Sequence, residues 1–205
     1  MTISISPFTT SRISDDTYSL TLAQLTSVFI AELERLLGPR DPKFTYTGLE
    51  FDTTPNASPH IWFLKTGYPG HETDQDPTHI TIRLTEAAQN DANLAIWQLA
   101  HECMHLIDPW NTEREGRPSN YLEEGLATWY QNTIIQDIPN TLPHYVEAKS
   151  LVEQYMPELA GTVKHLRTQH QVRICDIDDP ELLLRHCPEM GAKVAERLCQ
   201  RFETA

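Results

Sequence analysis

The sequence lacks the long apolar run that a membrane-spanning helix needs. No stretch of about 18 consecutive apolar residues occurs anywhere in its 205 residues. The N-terminal stretch MTISISPFTTSRISDD also lacks the basic patch and the apolar core of a secretion signal. We therefore expect no association with a membrane and a cytoplasmic location.

Basic residues are scarce relative to acidic ones. The chain has 16 lysines and arginines against 29 aspartates and glutamates, which gives a net charge of −13. Because an acidic surface repels the phosphates of nucleic acids and of anionic lipids, we expect neither as a partner. The net negative charge does not identify any other partner, and it does not indicate the oligomeric state.

Cysteines are few, and the four that occur are scattered without a C-x-x-C pair. This pattern predicts buried thiols in a reducing compartment, with a disulfide pair as the alternative. The chain has 40% hydrophobic residues and no internal repeat, which is typical of a globular protein. Its length is enough to bury a core without cross-links, and we expect a single domain over residues 1–205.

Apolar periodicity divides the chain into a mixed N-terminal part and a helical C-terminal part. A helix is predicted over residues 20–37, ending at Gly38 and Pro39. Strands are predicted at 44–51, 60–65 and 78–84, with a loop at 67–77. Further helices are predicted at 91–108, 120–135, 144–156, 158–170, 179–187 and 189–202, with a polar loop at 111–119. The expected fold class is α+β: a small N-terminal sheet with a helix, followed by a mainly helical half. The two sub-domains are expected at about 1–108 and 109–205.

The motif HECMH lies on the predicted helix 91–108. His101 and His105 are four residues apart, so their side chains share one helix face. Two imidazoles in this arrangement can bind one Zn²⁺, and Glu102 stands beside the first of them, where a general base is needed. The same pattern also arises by chance on ordinary helices. A third ligand is needed to favour a metal site.

A pair of acidic residues supplies two candidates for that third ligand. Glu123 and Glu124 follow His105 on the next predicted helix, in the stretch NYLEEGLATWY. Consecutive helical residues differ in direction by about 100°, so only one of the two can face the metal. The residues alone leave open which of them does so.

Together these segments resemble the gluzincin metallopeptidases. HECMH followed by YLEEGLATWY is similar to the zinc motif and the W-L-N-E-G-F-A segment of zinc aminopeptidases, and the similarity extends from Ile80 to about Trp129. The resemblance implies a zincin-like fold with the active site between the sheet and the helical half. It also implies Glu124 as the third zinc ligand, because Gly125 follows in step, and puts Glu123 where the family often has Asn.

A second segment carries the resemblance further. The stretch LPHYVEAKSLV is similar to the Y-E-K-G-A helix start of those aminopeptidases, which implies that Tyr145 stabilises the oxyanion. The alternative is a half-buried tyrosine that anchors a helix. The chain has no G-x-M-E-N-like segment for a substrate's free amino end and no large flanking domains. The resemblance therefore extends to a catalytic core and not to aminopeptidase specificity.

The resulting hypothesis is a zinc-dependent metallopeptidase of narrow specificity, an endopeptidase acting on a peptide or protein substrate. His101, His105 and Glu124 hold the Zn²⁺ cofactor, and Glu102 is the general base. The strand 78–84 is expected at the rim of the cleft, where it would pair with extended substrate. The alternatives are a zincin-fold binding or regulatory module with little peptidase activity, and an effector-type protease that acts on one partner.

Further aspartates and histidines have open roles. Asp108 could orient a histidine ligand or cap the helix that precedes it. His170 and His186 are candidates for a second oxyanion contact, against a surface or core role. Asp178 or Asp179 is expected to cap a C-terminal helix.

Overall fold

The computed structural model describes residues 15–65, 75–109, 118–136, 138 and 142–202. In these residues the protein has an α+β fold in which seven α-helices accompany one three-stranded sheet, which confirms the predicted fold class. The strands are β1 (Thr45–Asp52), β2 (His60–Lys65) and β3 (Gln75–Thr85). The helices are α1 (Asp15–Leu37), α2 (Ala92–His105), α3 (Tyr121–Ile134), α4 (Pro143–Glu153), α5 (Glu158–His170), α6 (Pro180–His186) and α7 (Ala192–Cys199). Two short 3-10 helices occupy Glu86–Gln89 and Ile174–Asp176.

Most predicted elements lie where the periodicity placed them, and their ends differ by a few residues. Helix α2 ends at His105 and not at residue 108, while α7 is shorter at both ends than the predicted 189–202. Strand β3 begins at Gln75, inside the predicted loop 67–77. Residues 67–74 of that loop, and residues 111–117 of the predicted loop 111–119, lie outside the described residues.

Strand β3 is the central strand of the sheet. It pairs in parallel with β1 and antiparallel with β2, so Ile82 lies opposite both Leu49 and Ile61. Ile80, Ile82 and Leu84 alternate along the strand and are fully buried, so this face of β3 belongs to the core. The expectation that β3 would pair with extended substrate is wrong, because both of its edges are already hydrogen-bonded to neighbouring strands. Pairing partners are set by contacts between distant parts of the chain, which local alternation does not reveal.

Helix α2 is held between the sheet and the other helices. The Asp91 side chain caps it by accepting a hydrogen bond from the Leu94 N–H at 3.0 Å. Gln98 joins the helix to the end of β3: its Oε1 accepts from the backbone N–H of Thr85 at 3.0 Å, and its Nε2 donates to the Thr85 hydroxyl at 2.9 Å. Leu99 on the same helix is fully buried. The helix is therefore fixed in rotation as well as in position.

A buried ion pair joins the ends of three segments. Arg167 on α5 donates to Asp108 at 2.9 Å and to the carbonyls of Leu37 and Ile107 at 2.6 and 3.0 Å. Asp108 also accepts the backbone N–H of Ile174 at 2.9 Å. Its carboxylate therefore pins the end of α2 to α5 and to the segment after α5. The suggestion that Asp108 orients a histidine ligand is corrected accordingly, since its hydrogen bonds in the described part of the chain go to Arg167 and Ile174.

Predictions were also made for the cysteines and for the cap of a C-terminal helix. The four cysteines are free and buried, which confirms the prediction of buried thiols. Asp179 caps α6 by accepting the Glu181 N–H at 3.0 Å. Among the described helices, none has both the length and the apolar character needed to cross a membrane.

Candidate metal centre

His101 and His105 on α2 meet Glu124 on α3. The two imidazole rings are 5.0 Å apart between centroids. The Nε2 atom of His101 lies 3.4 Å from Oε2 of Glu124, and the Nε2 atom of His105 lies 3.7 Å from Oε1. One ligand atom from each residue lies within 4.8 Å of the other two. The structure therefore brings together the three residues that the sequence analysis selected as metal ligands.

The first turn of α3 is fixed by a fully buried asparagine. Asn120 caps the helix, and its Oδ1 accepts the Glu123 N–H at 2.9 Å. Its Nδ2 donates to the carbonyls of Ile174 and Ile177 at 2.9 and 3.2 Å. Glu123 and Glu124 thus lie at a helix N-terminus, where the partial positive charge favours carboxylates. The segment after α5 is in this way bound to the turn that carries the acidic pair.

Glu123 orients one of the histidines. Its Oε1 accepts a hydrogen bond of 2.9 Å from Nδ1 of His105, and its side chain is only 1% exposed. A proton on Nδ1 leaves Nε2 free to bind a metal, which is the arrangement found around metal-ligating histidines. Glu123 and Glu124 were expected to be alternative ligands. In the structure Glu124 faces the candidate metal position, while Glu123 binds the ring of His105. The occurrence of two adjacent acids was the sequence signal for this supporting residue.

Glu124 carries a buried oxygen atom that needs a partner. Its Oε1 accepts a hydrogen bond of 2.6 Å from the Ser119 hydroxyl. Its Oε2 is buried and lies 3.4 Å from Nε2 of His101, but it accepts no well-formed hydrogen bond from the residues that the structure describes. A buried charged oxygen without a good hydrogen bond is costly, and a cation at this point would remove that cost. Two imidazole nitrogens and one carboxylate oxygen are also the ligand set of catalytic Zn²⁺, so these residues fit the metal.

The buried carboxylates beside His101 and His105 also favour a positive charge at this position. Burial would lower the pKa of His105, but the carboxylates of Glu124 and Glu123 raise it to about 10. Burial would raise the pKa of Glu124, but the charges of His105 and His101, with the Ser119 hydroxyl, lower it to about 2. The carboxylates stabilise a proton on a buried imidazole in the place where a metal ion would supply the same charge.

Glu102 follows His101 on α2, is 2% exposed, and interacts electrostatically with His101, His105 and Glu124. Burial raises the pKa of its carboxyl, while His101 and His105 act in the opposite direction. His60, the first residue of β2, also lowers this pKa, which brings the edge strand of the sheet within electrostatic reach of Glu102. A carboxyl whose pKa is raised binds and releases a proton nearer to neutral pH, as proton transfer requires.

Tyr145, at the start of α4, also lies at this centre. Its ring centroid is 6.0 Å from that of His101. Burial, together with the negative charges of Glu124 and Glu102, raises the pKa of its phenol, so the hydroxyl stays protonated. His144 and Phe202 pack against the ring at 4.9 and 4.8 Å. These contacts place Tyr145 near His101 and leave open both the predicted role in oxyanion stabilisation and the alternative role as a helix anchor.

Gly125 explains how α4 comes so close. A Cβ atom at this position would lie 2.6 Å from the carbonyl oxygen of Ala148 and 2.6 Å from a methyl group of Val152. Both contacts are shorter than the 3.0 Å that Cβ atoms respect. The helix that carries Tyr145 therefore packs directly on the helix that carries Glu124, and only glycine permits it.

The end of the described chain supports the same turn from outside. The backbone N–H of Phe202 donates to the Ser119 carbonyl at 2.8 Å, and the N–H of Tyr121 donates to the Gln200 carbonyl at 3.0 Å. This short pairing holds Ser119, whose hydroxyl binds Glu124. Sequence reasoning missed Ser119, since a serine in a loop carries no distinctive signal.

His170 and His186 are not brought to this centre. The structure gathers them with His165 in a separate group of three histidines. The suggestion that either one supplies a second oxyanion contact is therefore corrected. Comparison of the chain with protein-family models, with curated proteins and with solved structures finds no match, so a function has to be argued from the geometry of the metal centre itself.

Proposed function

We propose that the protein is a zinc-dependent metallopeptidase of the gluzincin type, with an endopeptidase activity of narrow specificity. The observation that carries this proposal is the convergence of two Nε2 atoms, from His101 and His105, on the carboxylate of Glu124. The buried Oε2 of that carboxylate accepts no well-formed hydrogen bond from the described residues, and a metal ion would be its partner. These three side chains would hold Zn²⁺ and leave a coordination position open to substrate.

A bound Zn²⁺ would supply Lewis acidity, which polarises the scissile carbonyl and lowers the pKa of the attacking water. Glu102 accepts the proton that this water loses and delivers it to the leaving amine. The burial of Glu102 suits both proton transfers. It raises the pKa of the carboxyl, so the protonated form persists after the proton is taken from water and before it is delivered to the amine. The protonation state of one residue thus alternates during each cycle.

Tyr145 donates its phenolic hydrogen to the negative charge that develops on the carbonyl oxygen. A preorganised donor in a site shielded from water stabilises that charge more than water does. The raised pKa of the Tyr145 phenol supports this role, because a donor must keep its proton. Its distance from His101 supports it as well.

Glu123 and Ser119 keep the ligands in position without touching substrate. Glu123 fixes the ring of His105, and Ser119 fixes one oxygen of Glu124. Such supporting contacts determine metal affinity because a ligand that is already oriented loses little freedom on binding. Because Glu123 and Ser119 hold His105 and Glu124 by these hydrogen bonds, they favour a site that is preorganised for binding.

We place the cleft in a zincin-like manner, between the sheet and the helical half. Helix α2 packs on both β3 and α3, which supports this arrangement. The strand that would pair with extended substrate is then β2, an edge strand in the described sheet, since β3 is central. The four free thiols support a reducing, cytoplasmic location.

The test measures zinc content and peptide hydrolysis on the same preparations. Wild type, His101→Ala, Glu124→Ala and Glu102→Gln are dialysed against a weak chelator and then examined by elemental analysis. We expect about one tightly held zinc per chain in wild type and in Glu102→Gln, and loss of that zinc in both ligand variants. With a library of quenched fluorescent peptides, only wild type should show zinc-dependent cleavage.

The outcomes separate the proposal from its alternatives. Absence of zinc from wild type, even after zinc is added, would exclude the metal centre. Tightly bound zinc without cleavage of any peptide would instead favour a binding or regulatory module. Cleavage of one protein partner but of no peptide would favour an effector-type protease.

A further inference from the structure

Three histidines from two helices meet away from the metal centre described above. His165 and His170 belong to α5, and His186 is the last residue of α6. The ring centroids are 5.3 Å apart for His165 and His170, 4.8 Å for His165 and His186, and 6.4 Å for His170 and His186. One ring nitrogen of each lies within 4.8 Å of the other two. This group shares no residue with the first one.

The backbone positions of these histidines are fixed, while their rings remain adjustable. Thr162 on α5 donates its hydroxyl hydrogen to the carbonyl of His186 at 3.1 Å, which locks the end of α6 against α5. His165 and His170 are exposed, and His186 is half-buried. Tetrahedral zinc with Zn–N bonds of about 2.0–2.1 Å needs nitrogens about 3.4 Å apart. Rotation of the exposed rings can shorten the distances between their nitrogens from within 4.8 Å to this value without disturbing the core.

The protonation state of the rings suits a metal ion. Among the described residues, no ion pair links any of the three imidazoles to a carboxylate, and each ring has two other imidazoles beside it. Burial lowers the pKa of His186, and the neighbouring charges of His165 and Arg185 lower it further. Neutral imidazole is the form that binds metals. His170 and His186 also end their helices, where the partial negative charge of the helix dipole favours a cation.

We propose that His165, His170 and His186 form a second metal site, which takes Zn²⁺ or another divalent transition-metal ion that prefers imidazole, such as Ni²⁺ or Cu²⁺. Three protein nitrogens and water complete its coordination. This site is independent of the proposed peptidase activity. It needs neither the first metal nor a substrate.

The position of the second site gives it a structural role. The chain between His170 and His186 contains the two carbonyls, of Ile174 and Ile177, that hold the Asn120 side chain. An ion that joins His170 to His186 closes this segment into a loop and limits its motion. Asn120 in turn caps the helix that carries Glu123 and Glu124. An ion at the second site therefore stabilises the segment that holds Asn120, and through Asn120 the turn that carries Glu123 and Glu124.

The experiment counts zinc equivalents on the full chain by isothermal titration with Zn²⁺ alone, starting from protein stripped with a strong chelator. Wild type is expected to bind about two equivalents, one tightly at the first centre and one more weakly at the exposed histidines, a zinc that a weak chelator removes. His165→Gln, His186→Gln and the first-centre variant His101→Gln should bind about one each. The double variant His101→Gln with His186→Gln should bind none. Gln169→Ala changes an exposed residue of the same helix and should retain the wild-type count. Circular dichroism on every preparation verifies that each variant is folded.

Two results would overturn the second site. One is a His186→Gln variant that binds as many equivalents as wild type. The other is a His101→Gln variant that is folded and binds no zinc. Because His101→Gln removes only the first centre, a single equivalent in that variant, lost in the double variant, supports the second site even if the peptidase proposal fails. An unaltered count in His101→Gln, with loss in His186→Gln, would instead exclude the first centre alone.

Discussion

The Nδ1 atom of His105 donates a hydrogen bond of 2.9 Å to Glu123, and this contact turns Nε2 of the same ring toward Glu124. One residue of the acidic pair therefore orients His105 toward the other. Because both carboxylates lie on the first turn of α3, a change in that turn moves Glu123 and Glu124 together.

Replacement of Glu123 should weaken zinc binding without removing a ligand. Glu123→Ala leaves Nδ1 of His105 without its acceptor, so we expect zinc affinity to fall by about 10- to 100-fold. Glu123→Gln keeps an acceptor oxygen but loses its charge, and should lie between wild type and Glu123→Ala. The measurement is competition for zinc with a chelator of known affinity. Glu153→Gln, an exposed glutamate at the end of α4, is the control.

An unchanged zinc affinity in Glu123→Ala would contradict this account. It would mean that the ring of His105 is held by packing alone, and that the buried carboxylate has another purpose. Complete loss of zinc, as in Glu124→Ala, would contradict it in the other direction. Glu123 would then be a ligand and not a support.

Gly125→Ala should destabilise the protein and separate Tyr145 from Glu124. The added methyl group would lie 2.6 Å from the backbone oxygen of Ala148, which cannot rotate away, so α3 and α4 must move apart. Overpacking of this kind costs about 1–3 kcal/mol of unfolding free energy. The measurement is urea denaturation. If the proposed activity exists, hydrolysis should fall more than zinc binding does.

The control for Gly125→Ala is Gly161→Ala. Gly161 lies on α5, where a Cβ atom would meet nothing within 4 Å. Alanine there should be neutral or should stabilise the protein by up to about 1 kcal/mol, because it favours the helix. Equal effects at the two glycines would show that helix propensity, and not the close packing of α3 on α4, determines the outcome.

Much of this structure follows from local patterns, and the remainder depends on contacts that local patterns do not contain. The four-residue spacing of His101 and His105 fixes their common face on any helix, so α2 and the proximity of its two imidazoles could be predicted. The central position of β3 could not, because alternation gives the faces of a strand and not its neighbours. The choice between Glu123 and Glu124 needed either a resemblance or the structure, since helical geometry allows only one of them to face the metal.

The group of His165, His170 and His186 illustrates the same limit. His186 lies on a different helix from the other two, and 15 residues separate it from His170 in the sequence. No repeat or motif links them. They meet because the segment between α5 and α6 folds back, and that path is determined by the hydrogen bonds of Asn120 and Asp108 to its backbone.

Asn120→Ala should reduce stability more than loss of an ordinary helix cap does. It removes the cap of α3 and the side-chain donor to two buried carbonyls, of which Ile174 still accepts the Ile177 N–H while Ile177 loses its donor. The cap contributes about 1 kcal/mol, and an unsatisfied buried group costs about 1–3 kcal/mol, so we expect a loss of about 2–4 kcal/mol. Asp179→Ala, at the exposed cap of α6, should cost only about 1 kcal/mol. Both are measured by urea denaturation.

A second substitution of Asn120 tests whether the carbonyl contacts affect zinc binding. In Asn120→Asp the cap acceptor remains while the donor to both carbonyls is lost. If zinc affinity in Asn120→Asp falls along with stability, the segment after α5 supports the acidic turn, as inferred. A stable Asn120→Asp variant with wild-type affinity would show that the cap alone positions Glu123 and Glu124.

Tyr145→Phe distinguishes an oxyanion donor from a helix anchor. The substitution removes one hydroxyl and keeps the ring that packs on Phe202 and His101. If the phenol donates to developing negative charge, kcat should fall by about 10²–10³-fold while zinc content and KM change little. Tyr155→Phe, on a half-buried tyrosine that packs against the core, is the matched control and should leave kcat unaltered. A loss of stability in Tyr145→Phe with an unaltered kcat would assign the hydroxyl to the anchoring of α4, and the oxyanion would then depend on the metal alone.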